Sequence, residues 1–111
     1  MQISDESVGG VCVVTARGRL DGAASGPFAD RVQALIGPDR PRMLIDFSGV
    51  DFVTSAGLRA VLIILKKVKS VSGQFALYGV QPSVREVLEI SGFASMIQIH
   101  PGREAALAGM S

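Results

Sequence analysis

The feature that most constrains this chain is a short, nearly unbroken apolar run, Arg42 to Phe47 (Arg-Met-Leu-Ile-Asp-Phe). Its continuity calls for burial on both faces, as in an interior strand of a parallel sheet. Parallel neighbours cannot be joined by a tight turn and need long crossovers, usually helices. The rest of the chain reads accordingly. Gly9-Gly10 is a turn signal between the runs Gln2–Glu6 and Val11–Ala16, the second rich in β-branched residues, which predicts an opening hairpin. Gly18-Arg-Leu-Asp21-Gly22 reads as its exit loop. Ala23–Ile36 suits a helix, with Phe28, Val32, Leu35 and Ile36 at i, i+4, i+7 and i+8. Pro27 favours a start near Ser25 or Gly26, and Gly37-Pro38 ends the helix.

After the Arg42–Phe47 strand, Ser48–Val53 reads as a connecting segment. A long helix follows from about Ser55 to Val71, stopped by Ser72-Gly73. Next come a strand Gln74–Tyr78, a helix from Pro82-Ser83 to about Ile90, a strand Met96–His100 and a short helix Arg103–Ala108. The order ββαβαβαβα predicts an α/β fold, with a mixed, mostly parallel sheet of about five strands flanked by about four helices and joined by right-handed crossovers.

At 111 residues and 48% apolar composition, the chain is expected to be one domain, 1–111, with its own core. Eleven basic and ten acidic side chains leave a net charge of +1, which excludes a strongly basic nucleic-acid binder. A single cysteine, Cys12, excludes an intramolecular disulfide framework and a multi-thiolate metal site. The acidic start resembles no secretory signal, and the longest apolar run, Ala60–Leu65, is far short of the ~20 residues that span a bilayer. A cytoplasmic protein without membrane insertion is expected. A serine hydrolase is disfavoured, because Val53 stands where the nucleophile elbow needs glycine and His100 is the only histidine. No phosphate-binding Gly-x-x-x-x-Gly-Lys loop occurs. Cys12, Met43, Met96 and the phenylalanines read as core, with Phe93 partly exposed.

On the long helix, Leu58, Val61, Leu62, Leu65 and Val68 share one face and are expected to pack on the sheet. Ala56, Ala60, Ile63 and Lys67 fall on roughly the opposite face, with Arg59 to one side. The outward strip of Ala56, Ala60 and Ile63 is small and apolar: scattered surface alanine, or a docking face anchored by Ile63. At the helix entrance, Thr54-Ser55-Ala56-Gly57 places two hydroxyls where the first backbone N–H groups lack helical partners and the macrodipole is positive. Either hydroxyl could serve as an N-cap, or the site could carry a phosphate without breaking the fold.

The segment Leu44-Ile-Asp46-Phe-Ser48-Gly-Val-Asp-Phe52-Val-Thr54-Ser55-Ala-Gly57-Leu58 closely resembles the signature of the STAS domain, the fold of bacterial anti-sigma factor antagonists. Gly18-Arg-Leu-Asp21 and the stretch Pro82–Leu88 to Gly92-Phe93 match further family segments, so the likeness extends through most of the chain. The resemblance implies a STAS-type (SpoIIAA-like) fold and a switch protein that needs no cofactor or metal and is not an enzyme. It implies that Ser55 is the residue phosphorylated by a partner anti-sigma factor that is also a serine kinase. The unphosphorylated form binds that partner and frees the sigma factor, and a PP2C-type phosphatase resets the switch. Asp21 and Asp46 occupy family positions near the phosphorylation site, together with the signature residues Ser48 and Gly57.

The implied partner surface comprises Thr54, Ser55, Ala56, Arg59, Ala60, Ile63 and Lys67. Two departures stand out. Thr54 replaces the aspartate common before the serine, adding a second candidate acceptor. Arg59 replaces a frequent glycine; it could pair with a phosphate on Ser55 or meet an acidic group on the partner. Two other readings stay open: a non-catalytic STAS subunit of a larger assembly, such as a lipid-transport ATPase or a stress-signalling complex, and a small anion- or nucleotide-binding module.

Overall fold

Two consecutive left-handed glycines, Gly9 (φ 55°) and Gly10 (φ 81°), turn the chain back on itself and join β1 (Gln2–Val8) to β2 (Val11–Leu20) as an antiparallel hairpin. The computed structural model describes residues 1–110; Ser111, the end of the expected 1–111 domain, lies outside them. The other elements are α1 (Gly22–Ala34), β3 (Arg42–Val53), α2 (Ser55–Ser70), β4 (Gln74–Tyr78), α3 (Pro82–Ile90), a 3-10 turn at Phe93–Ser95, β5 (Gln98–His100) and α4 (Arg103–Gly109). The five strands form one sheet in the order β1-β2-β3-β4-β5, with β2 to β5 mutually parallel. The element order and the mixed, mostly parallel sheet agree with the sequence reading.

Several boundaries differ from it. β2 does not stop at Ala16, and 18–22 is not simply an exit loop. Gly18, Arg19 and Leu20 pair with Val50, Phe52 and Val53, across register shifts between Thr15/Arg17 and Gly18/Arg19. The expected connector 48–53 is therefore the second half of β3, and each segment becomes a strand by lying beside the other. Helix α1 begins before the proline. The Asp21 carboxylate accepts the Ala24 N–H at 3.0 Å and the Asp21 carbonyl accepts the Ser25 N–H at 2.9 Å, so the cap at Asp21 sets the start. Pro27 is carried inside the helix, preceded by Gly26; lacking a Cβ, Gly26 escapes much of the clash that keeps pre-proline residues out of helices. β5 is shorter than Met96–His100, because Gly92 (φ 84°) leads into the 3-10 turn first.

One face of the sheet packs against α1, α2 and α3 in a large apolar cluster that includes Phe28, Phe47, Ile45, Ile64 and Leu77. The Phe28 and Phe47 rings meet edge-on at 6.5 Å. The opposite face carries a smaller cluster in which Ala106 of α4 and Met110, its C-cap, cover Val11, Val13, Leu44, Ala76 and Tyr78. Arg31 to Asp5 (3.0 Å) ties α1 to the edge strand, Arg103 to Glu6 ties α4 to it, and Arg42 bonds the carbonyls of Met110 and Gly9. Met43 is buried as expected, but Met96 and Phe52 are exposed, each at 43%. Met96 follows the 3-10 turn rather than lying in β5, and Phe52 lies beneath the Arg19 guanidinium, 4.4 Å from its ring centre. Cys12 is half-buried against the main cluster, and burial, then the Asp5 charge, raises its thiol pKa. Among the described residues no helix is long and apolar enough to cross a membrane.

Candidate functional site

Helix α2 opens where β3 ends, at the carboxyl edge of the parallel strands. Thr54 is the N-cap: its Oγ1 accepts the Gly57 N–H at 3.3 Å and donates towards the Leu20 carbonyl at 3.4 Å, while its own N–H bonds that carbonyl at 3.0 Å. Both hydrogen-bonding capacities of the half-buried Thr54 hydroxyl are thus used by the fold. Ser55 is the first helical residue and is exposed. Among the described residues its hydroxyl has no hydrogen-bond partner. The two adjacent hydroxyls are therefore inequivalent: one holds the helix start and the other is presented to solvent.

Gly57 makes this entrance possible. It is buried, and a Cβ at its position would lie 2.3 Å from the Leu20 carbonyl oxygen, 2.9 Å from Leu20 Cγ and 3.1 Å from Val53 Cγ1. Only a residue without a side chain lets the first turn of α2 come down onto the end of β2.

Beyond Ser55 a groove of about 410 Å³ runs between α1 and α2. Ala29 and Ala60 line it together with Ser25, Gly26, Asp30 and Gln33 of α1 and Ser55, Ala56, Arg59 and Ile63 of α2. This corrects the expected helix faces. Ala60 is only 2% exposed, so it is not part of an outward strip, and the buried face of α2 is Gly57, Ala60, Val61, Ile64, Leu65 and Val68. Leu58 and Leu62 are only half-buried. The reason is that α2 packs against α1 as well as the sheet, which widens and rotates its buried arc. Ile63, 40% exposed, and Arg59 remain accessible, and Ala56 is half-buried. Lys67 is exposed farther along α2 and does not line the groove. The contribution of α1 was missed from sequence, although Ser25 and Gly26 lie at i−4 and i−3 of Ala29 and could have signalled a second small-residue face.

The other predicted neighbours separate into two groups. Asp21 caps α1 and directly follows Leu20, whose carbonyl holds Thr54, so it belongs to the same rim. Asp46 does not reach the groove. It follows Leu44 at strand spacing on the α4 face of the sheet, opposite α2, and accepts the Ser48 N–H at 2.8 Å and the Ser48 hydroxyl at 2.6 Å. It is paired across the sheet with Tyr78, whose pKa is raised by burial first and by the Asp46 charge next. Ser48 lies under the β4–α3 connection, its carbonyl accepting Gln81 Nε2 at 2.9 Å. Neither Asp46 nor Ser48 lines the groove, because strand alternation and the end of the central pairing send them elsewhere. Among the described residues no group of three or more His, Cys, Asp or Glu side chains is placed to hold a metal ion.

A serine held clear of the fold at a helix start, on the Asp-Phe-Ser…Thr-Ser-Ala-Gly-Leu frame, can be matched to known proteins. The STAS domain family model matches residues 2–106. The chain belongs to the STAS domain family. It is 32% identical over 108 residues to BtrV of Bordetella bronchiseptica, named as an anti-sigma factor antagonist, covering 97% of this chain and 93% of that protein. Among solved structures it is similar to an anti-sigma-factor antagonist (STAS) domain protein from Planctomyces limnophilus, with a TM-score of 0.87, 25% identity and 97% of each chain covered. It also shares its fold with the anti-sigma factor antagonist SpoIIAA in its unphosphorylated form, with a TM-score of 0.77, 22% identity and 99% of each chain covered. The STAS-type, SpoIIAA-like architecture expected from the signature is therefore the architecture of this chain.

Proposed function

We propose that this STAS protein is an anti-sigma factor antagonist, a binding switch rather than an enzyme, whose state is set by phosphorylation of Ser55. The unphosphorylated form binds an anti-sigma factor with serine kinase activity in the cytoplasm and frees the sigma factor. That kinase transfers the γ-phosphoryl group of ATP to the Ser55 Oγ, the hydroxyl proton leaves to a base on the kinase, and ADP departs. A PP2C-type phosphatase hydrolyses the ester and resets the switch. The observation that carries this reading is the division of labour at the helix start: Thr54 serves as the cap, while the exposed Ser55 hydroxyl is free to react. The neighbouring helix N–H groups and the positive end of the macrodipole lower the cost of a phosphate there. The names of BtrV and of the Planctomyces limnophilus protein support the choice of partner class.

Incubation with the cognate kinase and Mg-ATP, read by mass spectrometry, tests the assignment. Ser55→Ala is expected to abolish labelling with no loss of stability. Thr54→Ala is expected to leave labelling at Ser55 intact while costing about 1 kcal/mol of stability in urea unfolding, because it removes the cap. Labelling that survives Ser55→Ala and vanishes in Thr54→Ala would transfer the role to Thr54. Ile63→Glu, on the accessible wall of the groove, is expected to weaken kinase binding at least about tenfold, as a charge opposed to an apolar contact does. It should leave the thermal midpoint unchanged, since Ile63 is already 40% exposed. Unaltered binding would remove the groove from the interface.

A further inference from the structure

We propose that Arg59 is the built-in counter-cation of a phosphate on Ser55, and that its recruitment strips the α1–α2 groove of the positive charge facing Asp30. This rests on Ser55 being the modified residue. Ser55 and Arg59 are four residues apart on α2 and line the same groove. Residues at this spacing are neighbours, about 5–6 Å apart at Cβ. Helical side chains lean towards the helix start, so Arg59 leans back over Ser55 rather than away from it. Both side chains are exposed, and among the described residues Arg59 makes no ion pair or hydrogen bond, so turning it towards a phosphate breaks nothing. Its planar fork can hold two phosphate oxygens at once.

The second half of the inference comes from α1. Asp30 lines the groove opposite Arg59, is exposed, and also has no partner among the described residues. The other α1 side chains there, Ser25 and Gln33, are neutral. Without phosphate, the groove holds one cation on its α2 wall and one anion on its α1 wall. With it, the cation is committed to the helix entrance and Asp30 is left as uncompensated negative charge. A partner lying in the groove therefore meets two changes, an added dianion at Ser55 and a groove turned acidic one helical turn away.

The test installs phosphoserine at position 55 of the full chain by genetic incorporation, so that no kinase is needed and failure of the pairing is distinct from failure of the labelling experiment. The second pKa of the phosphate, about 6 in isolation, is read by ³¹P NMR titration. Arg59→Gln is expected to raise it by about 0.3 unit relative to the phosphorylated wild type. Arg59→Lys should fall between, keeping the charge without the fork. Asp30→Asn is expected to shift it downward, since an opposing anion is removed. A phosphate that titrates identically with and without Arg59 overturns the pairing. An unchanged value in Asp30→Asn overturns the coupling to the groove. Amide spectra of each variant matching the wild type away from the groove establish that the fold is retained.

Discussion

Gly57→Ala is expected to cost about 2 kcal/mol of stability, reducing the thermal midpoint by about 8 °C, although alanine is the better helix former. Helix propensity alone would favour the change by about 1 kcal/mol. The steric term opposes it and is larger. The new methyl group would lie 2.3 Å from the Leu20 carbonyl oxygen, a backbone atom that also holds the Thr54 N–H. Relief requires lifting the first turn of α2 from β2, which breaks that hydrogen bond and disturbs the cap; overpacking of this kind costs about 1–3 kcal/mol. Gly22→Ala, where an added Cβ meets open space at the start of α1, is the control and is expected to be neutral or slightly stabilising. Urea unfolding of both variants checks the pair. A Gly57→Ala protein as stable as the wild type would show that α2 can shift without loss. Because the same turn presents Ser55, Gly57→Ala is also expected to slow phosphorylation.

Phosphorylation of Ser55 is expected to weaken binding to the kinase-type anti-sigma factor at least about 100-fold, with Ser55→Asp giving a smaller loss in the same direction and Ser55→Ala binding as tightly as the wild type. Arg59 offsets at most one charge of the phosphate; burying the remaining uncompensated charge costs several kcal/mol, and about 3 kcal/mol is already more than 100-fold in affinity. A phosphoserine carries about −1.5 to −2 charges where the serine carried none, whereas an aspartate carries one and sits nearer the backbone. The free protein is expected to tolerate the modification, because Ser55 is exposed and plays no part in capping. The proposed switch would then act at the contact surface and require no refolding. Calorimetric titration of the four proteins, the unmodified wild type included, into the partner, with midpoints measured beside them, separates the two effects. Equal affinity of phosphorylated and unmodified protein would remove charge exclusion as the mechanism.

The element order was legible because each segment carries a strong local signal. The β-branched run around Val13, the apolar run through Ile45 and the Ser72-Gly73 and Ser91-Gly92 stops act over a few residues and need no distant partner. The hydroxyl pair at the start of α2 was legible for the same reason, and the signature around it identified the family. The segments that misled were those whose conformation depends on something far away in sequence. Gly18–Leu20 and Ser48–Val53 look like loops by composition, yet each becomes strand because the other supplies its ladder. Pro27 suggested a late helix start until the Asp21 cap was seen to outweigh it.

What the amino-acid order determined alone is the number, type and order of the helices and strands, and which short segment carries the hydroxyl pair at the start of α2. Tertiary structure decided the rest. It showed that Thr54 and not Ser55 serves as the cap, since that choice depends on where the Leu20 carbonyl lies. It placed Asp46 on the far face of the sheet and buried Ala60 between two helices. It also brought Asp30 of α1 opposite Arg59 of α2. The reason is physical: periodicity describes one helix or strand against an unspecified core, whereas the arc of α2 that is buried depends on a second helix packed beside it, and no period within α2 encodes where α1 will lie.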